Sequence, residues 1–202
     1  ELTLSADNRL QMRPAREVES LRGAWFPWPI STLNNQQMTL VEHCDAMEVI
    51  LQWDCANSSA EQYGIRLGDG LRLYVDAQMQ RLVLERYYPQ YGLCGTRSVP
   101  LTAGADLNLR IFFDSSSVEV FVNDGEACLS SRIYPQAPCR ELALFAWSGS
   151  NQKNSTEIFI CCLASAAPFL AWSLFTLGSL PRPLHADVCM TPIKAACCCR
   201  YP

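Results

Sequence analysis

The chain has 202 residues and a formal net charge of −4 at pH 7, so its length fits one domain, or one domain and a tail. The acidic balance gives no reason to expect binding to nucleic acid, which favours a basic protein face. The first residues contain neither the basic segment nor the apolar segment of a secretion signal, and we therefore expect no signal peptide.

The eleven cysteines predict neither a disulfide framework nor a metal site. Five are scattered through the first 150 residues without regular spacing, and six are crowded into the last third. The paired C-x₂₋₄-C spacing of a structural zinc site is absent. We expect free thiols, a reducing cytoplasmic location, no metal ion and no cofactor.

Short segments of alternating polarity, bounded by turn residues, recur about every ten residues from Glu1 to Ser150. This rhythm is typical of an antiparallel β-sandwich. A short helical linker, Ala15–Arg22, is predicted to precede the strands. The predicted strands are Met47–Trp53, Tyr63–Leu67, Leu71–Val75, Arg81–Arg86, Leu107–Phe113, Val118–Val122, Cys128–Ile133 and Glu141–Phe145.

The alternation is clearest between residues 118 and 122. Val118, Val120 and Val122 share one face of the predicted strand, and Glu119 and Phe121 share the other. We expect the valines to face the core and Glu119 to face solvent. In the predicted strand Met47–Trp53, Trp53 continues the alternation of Val49 and Leu51, so we expect it to belong to the core.

A tight turn is predicted at Asn123-Asp124-Gly125, because these residue types tolerate positive φ. The whole segment Leu107 to Pro135, with D-S-S-S-V-E-V-F-V-N-D-G-E followed by S-R-I-Y-P, resembles the C-terminal β-sandwich of glycoside hydrolase family 32. That family contains invertases, levanases and bacterial sucrose hydrolases. The resemblance covers roughly Glu1 to Ala146, with Q-M-R-P, Y-G-I-R-L-G and R-Y-Y-P in the family's order.

The resemblance implies an all-β fold, an antiparallel two-sheet sandwich of the concanavalin-like or jelly-roll type. In the family this sandwich follows a five-bladed β-propeller that carries the catalytic carboxylates. Their contexts, Asn-Asp-Pro, Arg-Asp-Pro and Glu-Cys, do not occur in this chain, where Asn123-Asp124 is followed by Gly125. We therefore predict no catalytic residue here.

The predicted organisation has three parts. Residues 1–22 are the end of a catalytic domain and a linker, residues 23–150 are the sandwich, and residues 151–202 are an unassigned tail. The implied partner is the catalytic propeller of a parent enzyme that hydrolyses sucrose or fructan without metal or cofactor. A free-standing carbohydrate-binding module and a membrane-tethered interaction domain are the alternative functions.

Five aromatic residues are candidates for the seam against the propeller or for sugar contact: Trp25, Trp28, Tyr87, Tyr88 and Tyr91. Exposed aromatic rings can stack on the apolar faces of sugars, whereas packed rings belong to a core or a seam. Exposed and coplanar Tyr87, Tyr88 and Tyr91 would favour the carbohydrate-binding module.

The tail has a different character, since residues 158–181 contain no charged residue. We find no pattern after Trp147 that predicts the strand closing the family's sandwich. Three explanations remain open: out-of-frame text unrelated to the fold, a membrane anchor over Ile158–Leu180, or an unusual buried hairpin or helix. A bilayer is spanned by roughly 20 apolar residues, but Pro168, Ser165 and Ser173 weaken the anchor, and we do not expect a membrane partner.

Overall fold

Antiparallel β-strands make up most of the chain in this computed structural model. The structure describes residues 1–23, 28–42, 46–134, 141–148 and 156–165, with backbone alone for residues 28–31 and 156–165. Two compact units divide the chain, Glu1–Ala167 and Pro168–Pro202, and the second lies outside the described residues. The fold class predicted from the sequence is confirmed.

The strands are, in chain order, β1 (Leu2–Leu4), β2 (Leu10–Met12), β3 (Trp28–Leu33), β4 (Gln36–Val41), β5 (Met47–Trp53), β6 (Gln62–Leu67), β7 (Leu71–Asp76), β8 (Arg81–Tyr88), β9 (Leu93–Pro100), β10 (Leu107–Phe113), β11 (Ser117–Val122), β12 (Ala127–Arg132), β13 (Leu142–Trp147) and β14 (Thr156–Ser165). Three short 3₁₀ helices accompany them: η1 (Arg16–Leu21), η2 (Pro89–Tyr91) and η3 (Asn123–Gly125). The predicted helical linker is therefore a 3₁₀ helix.

Two six-stranded sheets form the sandwich, and β1 and β2 form a separate hairpin. The first sheet has the order β12-β11-β10-β5-β14-β3, and the second has the order β4-β13-β6-β7-β8-β9. Neighbouring strands pair antiparallel throughout both sheets. The eight predicted strands agree with β5, β6, β7, β8, β10, β11, β12 and β13 to within two residues at either end.

The core lies between the inner faces of the two sheets. Val118, Val120 and Val122 are buried in it, and Glu119 is exposed on the other face of β11. Trp53 is also fully buried, with its ring edge-to-face against Tyr63 at a centroid distance of 5.6 Å. The predicted strand phase is confirmed.

Strand β14 corrects the interpretation of the tail. The expectation that no closing strand follows Trp147 is wrong, because Thr156–Ser165 pairs with β5 from Ile158↔Trp53 to Ser165↔Met47 and with β3 on its other side. The sequence of this strand, T-E-I-F-I-C-C-L-A-S, is mostly apolar, so it lacks the alternation of polar and apolar residues that marks a half-exposed strand. The first third of the predicted anchor, up to Ser165, is thus a sheet strand and not part of a membrane helix.

The remainder of the predicted anchor, residues 166–180, lies outside the described residues. Within the described part of the chain, no helix is long and apolar enough to cross a membrane. The sequence also did not predict β9, an edge strand whose side chains are mostly exposed. With no buried face, β9 has no alternating pattern to detect.

The turn at η3 has the predicted backbone conformation. Asn123, Asp124 and Gly125 have φ values of 45°, 57° and 99°. Gly125 also lies against the hairpin, since a Cβ atom there would come 2.3 Å from the carbonyl oxygen of Met12. Glycine is needed here for the close approach as well as for the backbone angle.

Candidate functional site

The β1–β2 hairpin presents an apolar face to solvent. Leu2 pairs with Met12 and Leu4 pairs with Leu10, so these four side chains lie on the same face, while Thr3↔Gln11 lies on the other. The four are 68%, 38%, 67% and 57% exposed in that order. A two-stranded hairpin is marginally stable by itself, and a contiguous exposed apolar face marks an interaction surface.

Contacts at its base attach the hairpin to one end of the sandwich. The Arg13 side chain donates from Nε to the carbonyl oxygen of Asp124 at 2.8 Å. The amino group of Glu1 donates to the carbonyl oxygen of Arg13 at 2.6 Å. The Arg13 hydrogen bond and the approach of Met12 to Gly125 attach the hairpin to the η3 turn, whereas the hydrogen bond between Glu1 and Arg13 closes the hairpin itself.

A groove of about 600 Å³, here called the linker groove, runs between η1 and the outer face of the first sheet. Its wall on the linker side includes Val18 and Leu21, and its floor includes Phe112 and Phe121. The two phenylalanine rings meet edge-to-face at a centroid distance of 6.0 Å. The groove is therefore mainly apolar, and its lining includes Arg13 and Pro14, which directly follow the hairpin.

Glu48 is a buried carboxylate at one end of the linker groove. It is 5% exposed although it lies on the outer face of β5. Arg22 donates from Nε to Oε2 at 2.7 Å and from Nη2 to Oε1 at 2.9 Å, and Arg110 donates from Nε to the same Oε1. Glu19 on η1 lies 3.6 Å from Arg22 and 3.7 Å from Arg110, so the linker is joined to the sheet by a four-residue charge network.

The electrostatics of Glu48 result from two opposing effects. Burial by itself raises the pKa of this carboxyl. The hydrogen bonds from Arg22 and Arg110, together with the positive charges of the two arginines, lower the pKa by more than burial raises it. The pKa of Glu48 consequently lies below its ordinary value of 4.5, and the group is ionised at neutral pH. Sequence analysis missed Glu48, although a carboxylate inside the apolar strand M-E-V-I-L-Q-W could have indicated a buried ion pair.

The structure separates the three predicted tyrosines. Tyr87 is 64% exposed, whereas Tyr88, which follows it in β8, is 3% exposed and faces the core. Tyr91 is 53% exposed, and its ring lies 4.6 Å from that of Tyr134, which sequence analysis had not singled out. Because Tyr87 and Tyr88 project to opposite faces of the strand, the three rings do not form one flat surface.

The other two candidates are less fully described. Trp25 lies outside the described residues. Trp28 begins β3, where its backbone pairs with Ile160 of β14. Both remain predicted seam residues.

Three cysteines whose side chains the structure describes, Cys55, Cys94 and Cys128, are free thiols. Burial raises the pKa of the Cys55 and Cys128 thiols, which keeps both protonated at neutral pH. No group of three or more His, Cys, Asp or Glu residues in the described ranges is arranged to hold a metal ion.

Comparisons with known proteins find similar sequences over most of the chain. The family model described as "Glycosyl hydrolases family 32 C terminal" matches residues 17–159 and thus includes the start of β14. Raffinose invertase of Escherichia coli is 57% identical over 143 residues, and sucrose-6-phosphate hydrolase of the same species is 53% identical over 144. Each match covers 71% of this chain and 30% of the relative, so the chain spans about a third of the length of these curated relatives.

Solved structures show the same fold. Exo-inulinase from Aspergillus awamori superimposes with a TM-score of 0.62 at 21% identity, covering 82% of this chain and 35% of that one. A sucrose-6-phosphate hydrolase from Lactobacillus gasseri gives a TM-score of 0.54, also at 21% identity, covering 82% of this chain and 33% of that one. At these identities the likeness shows the fold alone.

Proposed function

Since the chain belongs to the family of C-terminal domains of family 32 glycosyl hydrolases, we propose that it is the non-catalytic β-sandwich of a sucrose-hydrolysing β-fructofuranosidase. Two relatives more than 50% identical are named as a raffinose invertase and a sucrose-6-phosphate hydrolase. They are about three times as long as the matched segment. The sandwich would pack against the catalytic β-propeller of such an enzyme, which acts on sucrose or fructan in the cytoplasm without metal or cofactor.

The apolar face of the β1–β2 hairpin is the observation that carries this proposal. Four large apolar side chains on one exposed face favour burial against a partner, and each would contribute about 1.5–3 kcal/mol when fully buried. The hairpin precedes the sandwich in the chain, on the side from which a preceding domain would connect. The partner we infer is therefore a domain joined to the N-terminal side of the sandwich.

The linker supports the same arrangement. Arg22 and Glu19 on the linker side bind Glu48 and Arg110 on the sheet, which restricts the angle between linker and sandwich. Leu21 is 69% exposed beside the linker groove, and it adds to the apolar surface available to the partner. We propose that Trp25, Trp28 and Tyr87 extend this seam, while buried Tyr88 contributes to the core behind it.

Fragment complementation tests the proposal. The N-terminal part of E. coli raffinose invertase, ending before its counterpart of Glu1, is coexpressed with this chain, and both association and sucrose hydrolysis are measured. We expect the chain to bind the fragment and restore hydrolysis. Replacing Leu4 and Leu10 by serine removes most of the apolar face and should weaken association at least about tenfold.

The matched control places the change on the opposite face of the hairpin. Thr3→Ser with Gln11→Ser leaves the four apolar side chains in place and should bind like the unmodified chain. Both double variants should melt at the temperature of the parent sandwich, because the hairpin is outside its core. Equal association of the two double variants would contradict the assignment of this face.

A further inference from the structure

The outer face of the second sheet carries a row of aromatic rings. Phe145 and Trp147 alternate with inward residues on β13, and Tyr74 lies on the same outer face of β7. The Phe145 ring is stacked on Trp147 at 6.4 Å and 26°, and it lies 6.3 Å from the Tyr74 ring. Outward positions of a half-exposed sheet are normally polar, so this row requires an explanation.

Part of the explanation is structural. Gly64 pairs with Phe145 on one side and Tyr74 on the other, and the two rings lean together over it. A Cβ atom at Gly64 would lie 2.1 Å from the carbonyl oxygen of Leu73, so no side chain fits there. Phe145 and Tyr74 are consequently 2% and 8% exposed and form a small second core outside the sheet. Trp147, at 41% exposed, is not covered in this way.

Arg72 lies over the two buried rings of this row. Its guanidinium carbon is 4.7 Å from the Tyr74 centroid and 4.9 Å from that of Phe145. The same group donates to Glu85 at 3.2 Å and to the side-chain oxygen of Gln62 at 3.2 Å. These contacts hold Arg72 in one orientation. Two of the five N–H donors of its guanidinium make these hydrogen bonds, and the others can donate to a ligand.

Gln62 joins the guanidinium to the exposed indole, because it is the direct cross-strand partner of Trp147. Its oxygen accepts from Arg72, and its amide nitrogen donates to no atom of the described residues. The indole N–H of Trp147 and the hydroxyl of Tyr74 have no hydrogen-bond partner in that part of the chain either. The exposed indole thus belongs to a row of side chains that carries several donors without a hydrogen-bond partner in the described residues.

We propose that this surface, formed by Trp147, Gln62, Arg72 and Tyr74, is a binding site for a neutral saccharide. A sugar ring offers an apolar C–H face to the indole and vicinal hydroxyls to the amide and the guanidinium. The positive charge of Arg72 is already paired with Glu85, so an anionic ligand gains little there, whereas hydroxyl groups accept from its remaining N–H donors. The site is separate from the hairpin and the linker groove, and the isolated chain is sufficient to test it.

Affinity electrophoresis of the full chain in gels containing inulin, levan or dextran, with sucrose titration by calorimetry, measures this binding. We expect retardation by at least one of the three polymers. Trp147→Ala should weaken binding about fivefold to tenfold through loss of stacking, and Gln62→Ala should also weaken it. Met79→Ala, which removes a comparably exposed apolar side chain from the turn after β7, is the matched control and should leave binding unchanged.

Three outcomes would overturn the site. One is no interaction of the unmodified chain with any of the four saccharides. Another is equal loss of binding in Met79→Ala and Trp147→Ala, with all variants folded by circular dichroism. The third is concentration-dependent self-association in sedimentation that Trp147→Ala abolishes, which would make this face a contact between two copies. None of these results bears on fragment complementation, so the two proposals fail independently.

Discussion

Neighbouring residues on β11 have opposite environments, which provides a matched pair for testing the strand phase. Val120 is fully buried and Glu119 is exposed. Val120→Asp should unfold the sandwich, because burial of an unpaired carboxylate costs several kcal/mol, against the ~5–15 kcal/mol stability of a typical domain. Glu119→Ala should change stability by less than about 0.5 kcal/mol. Urea denaturation measures the stability of both variants. Equal denaturation midpoints would contradict the assignment of Val120 to the buried face of β11 and Glu119 to the exposed face.

Glu48 predicts a pH dependence of stability. Its pKa is lower in the folded chain than in the unfolded one, so its stabilisation is present above the ordinary value of 4.5 and is lost as pH falls through the folded pKa. We expect Glu48→Gln to be less stable by on the order of 2 kcal/mol at pH 7, because it leaves Arg22 and Arg110 with only the more distant carboxylate of Glu19. Thermal denaturation at several pH values measures the difference.

The comparison with Glu48→Gln also isolates the titration. The difference in the free energy of unfolding between the unmodified chain and Glu48→Gln should narrow below pH 4.5 and should stay constant from pH 6 to 8. An equal difference in the free energy of unfolding at acidic and neutral pH would show that the carboxylate charge does not stabilise the linker.

At the residue scale, then, the apolar interior was predictable from alternation. The Glu48 network joins residues 19, 22, 48 and 110, and no local pattern in the sequence connects them.

At the scale of elements, β14 decides where the domain can be cut. It lies between β5 and β3, so a chain ending at Ser150 loses an interior strand of the first sheet. We expect that truncation to leave β5 with unpaired backbone groups and to be unfolded or aggregated. A chain ending at Ala167 keeps the first compact unit and should melt cooperatively.

Circular dichroism and size-exclusion chromatography of the two truncations measure this difference. If the chain ending at Ser150 is monomeric and as stable as the one ending at Ala167, β14 is not needed for the sandwich.

The sequence of β14 also explains why this strand was not predicted. Periodicity identifies strands whose residues alternate in polarity, such as β11, and misses a mostly apolar sequence such as β14 and a mostly exposed strand such as β9.

For the whole molecule, we predict that the chain by itself hydrolyses neither sucrose nor levan. A retaining glycosidase needs two carboxyl groups about 5 Å apart, and the family's three catalytic contexts are absent from the sequence. Release of glucose or fructose is measured with protein from a host without invertase. Turnover above the buffer rate that copurifies with the chain would contradict the proposed non-catalytic role.

The sequence by itself determined the fold class, the inward faces of the central strands, the η3 turn and the likeness to family 32. These properties depend on alternation, on residues that tolerate positive φ and on ordered motifs, all of which are local in the chain. Only the tertiary structure decided that β14 enters the first sheet and that Trp147, Gln62 and Arg72 adjoin. Those outcomes depend on which strands become neighbours, and pairing across tens of residues is set by burial in the assembled sandwich and not by any short segment.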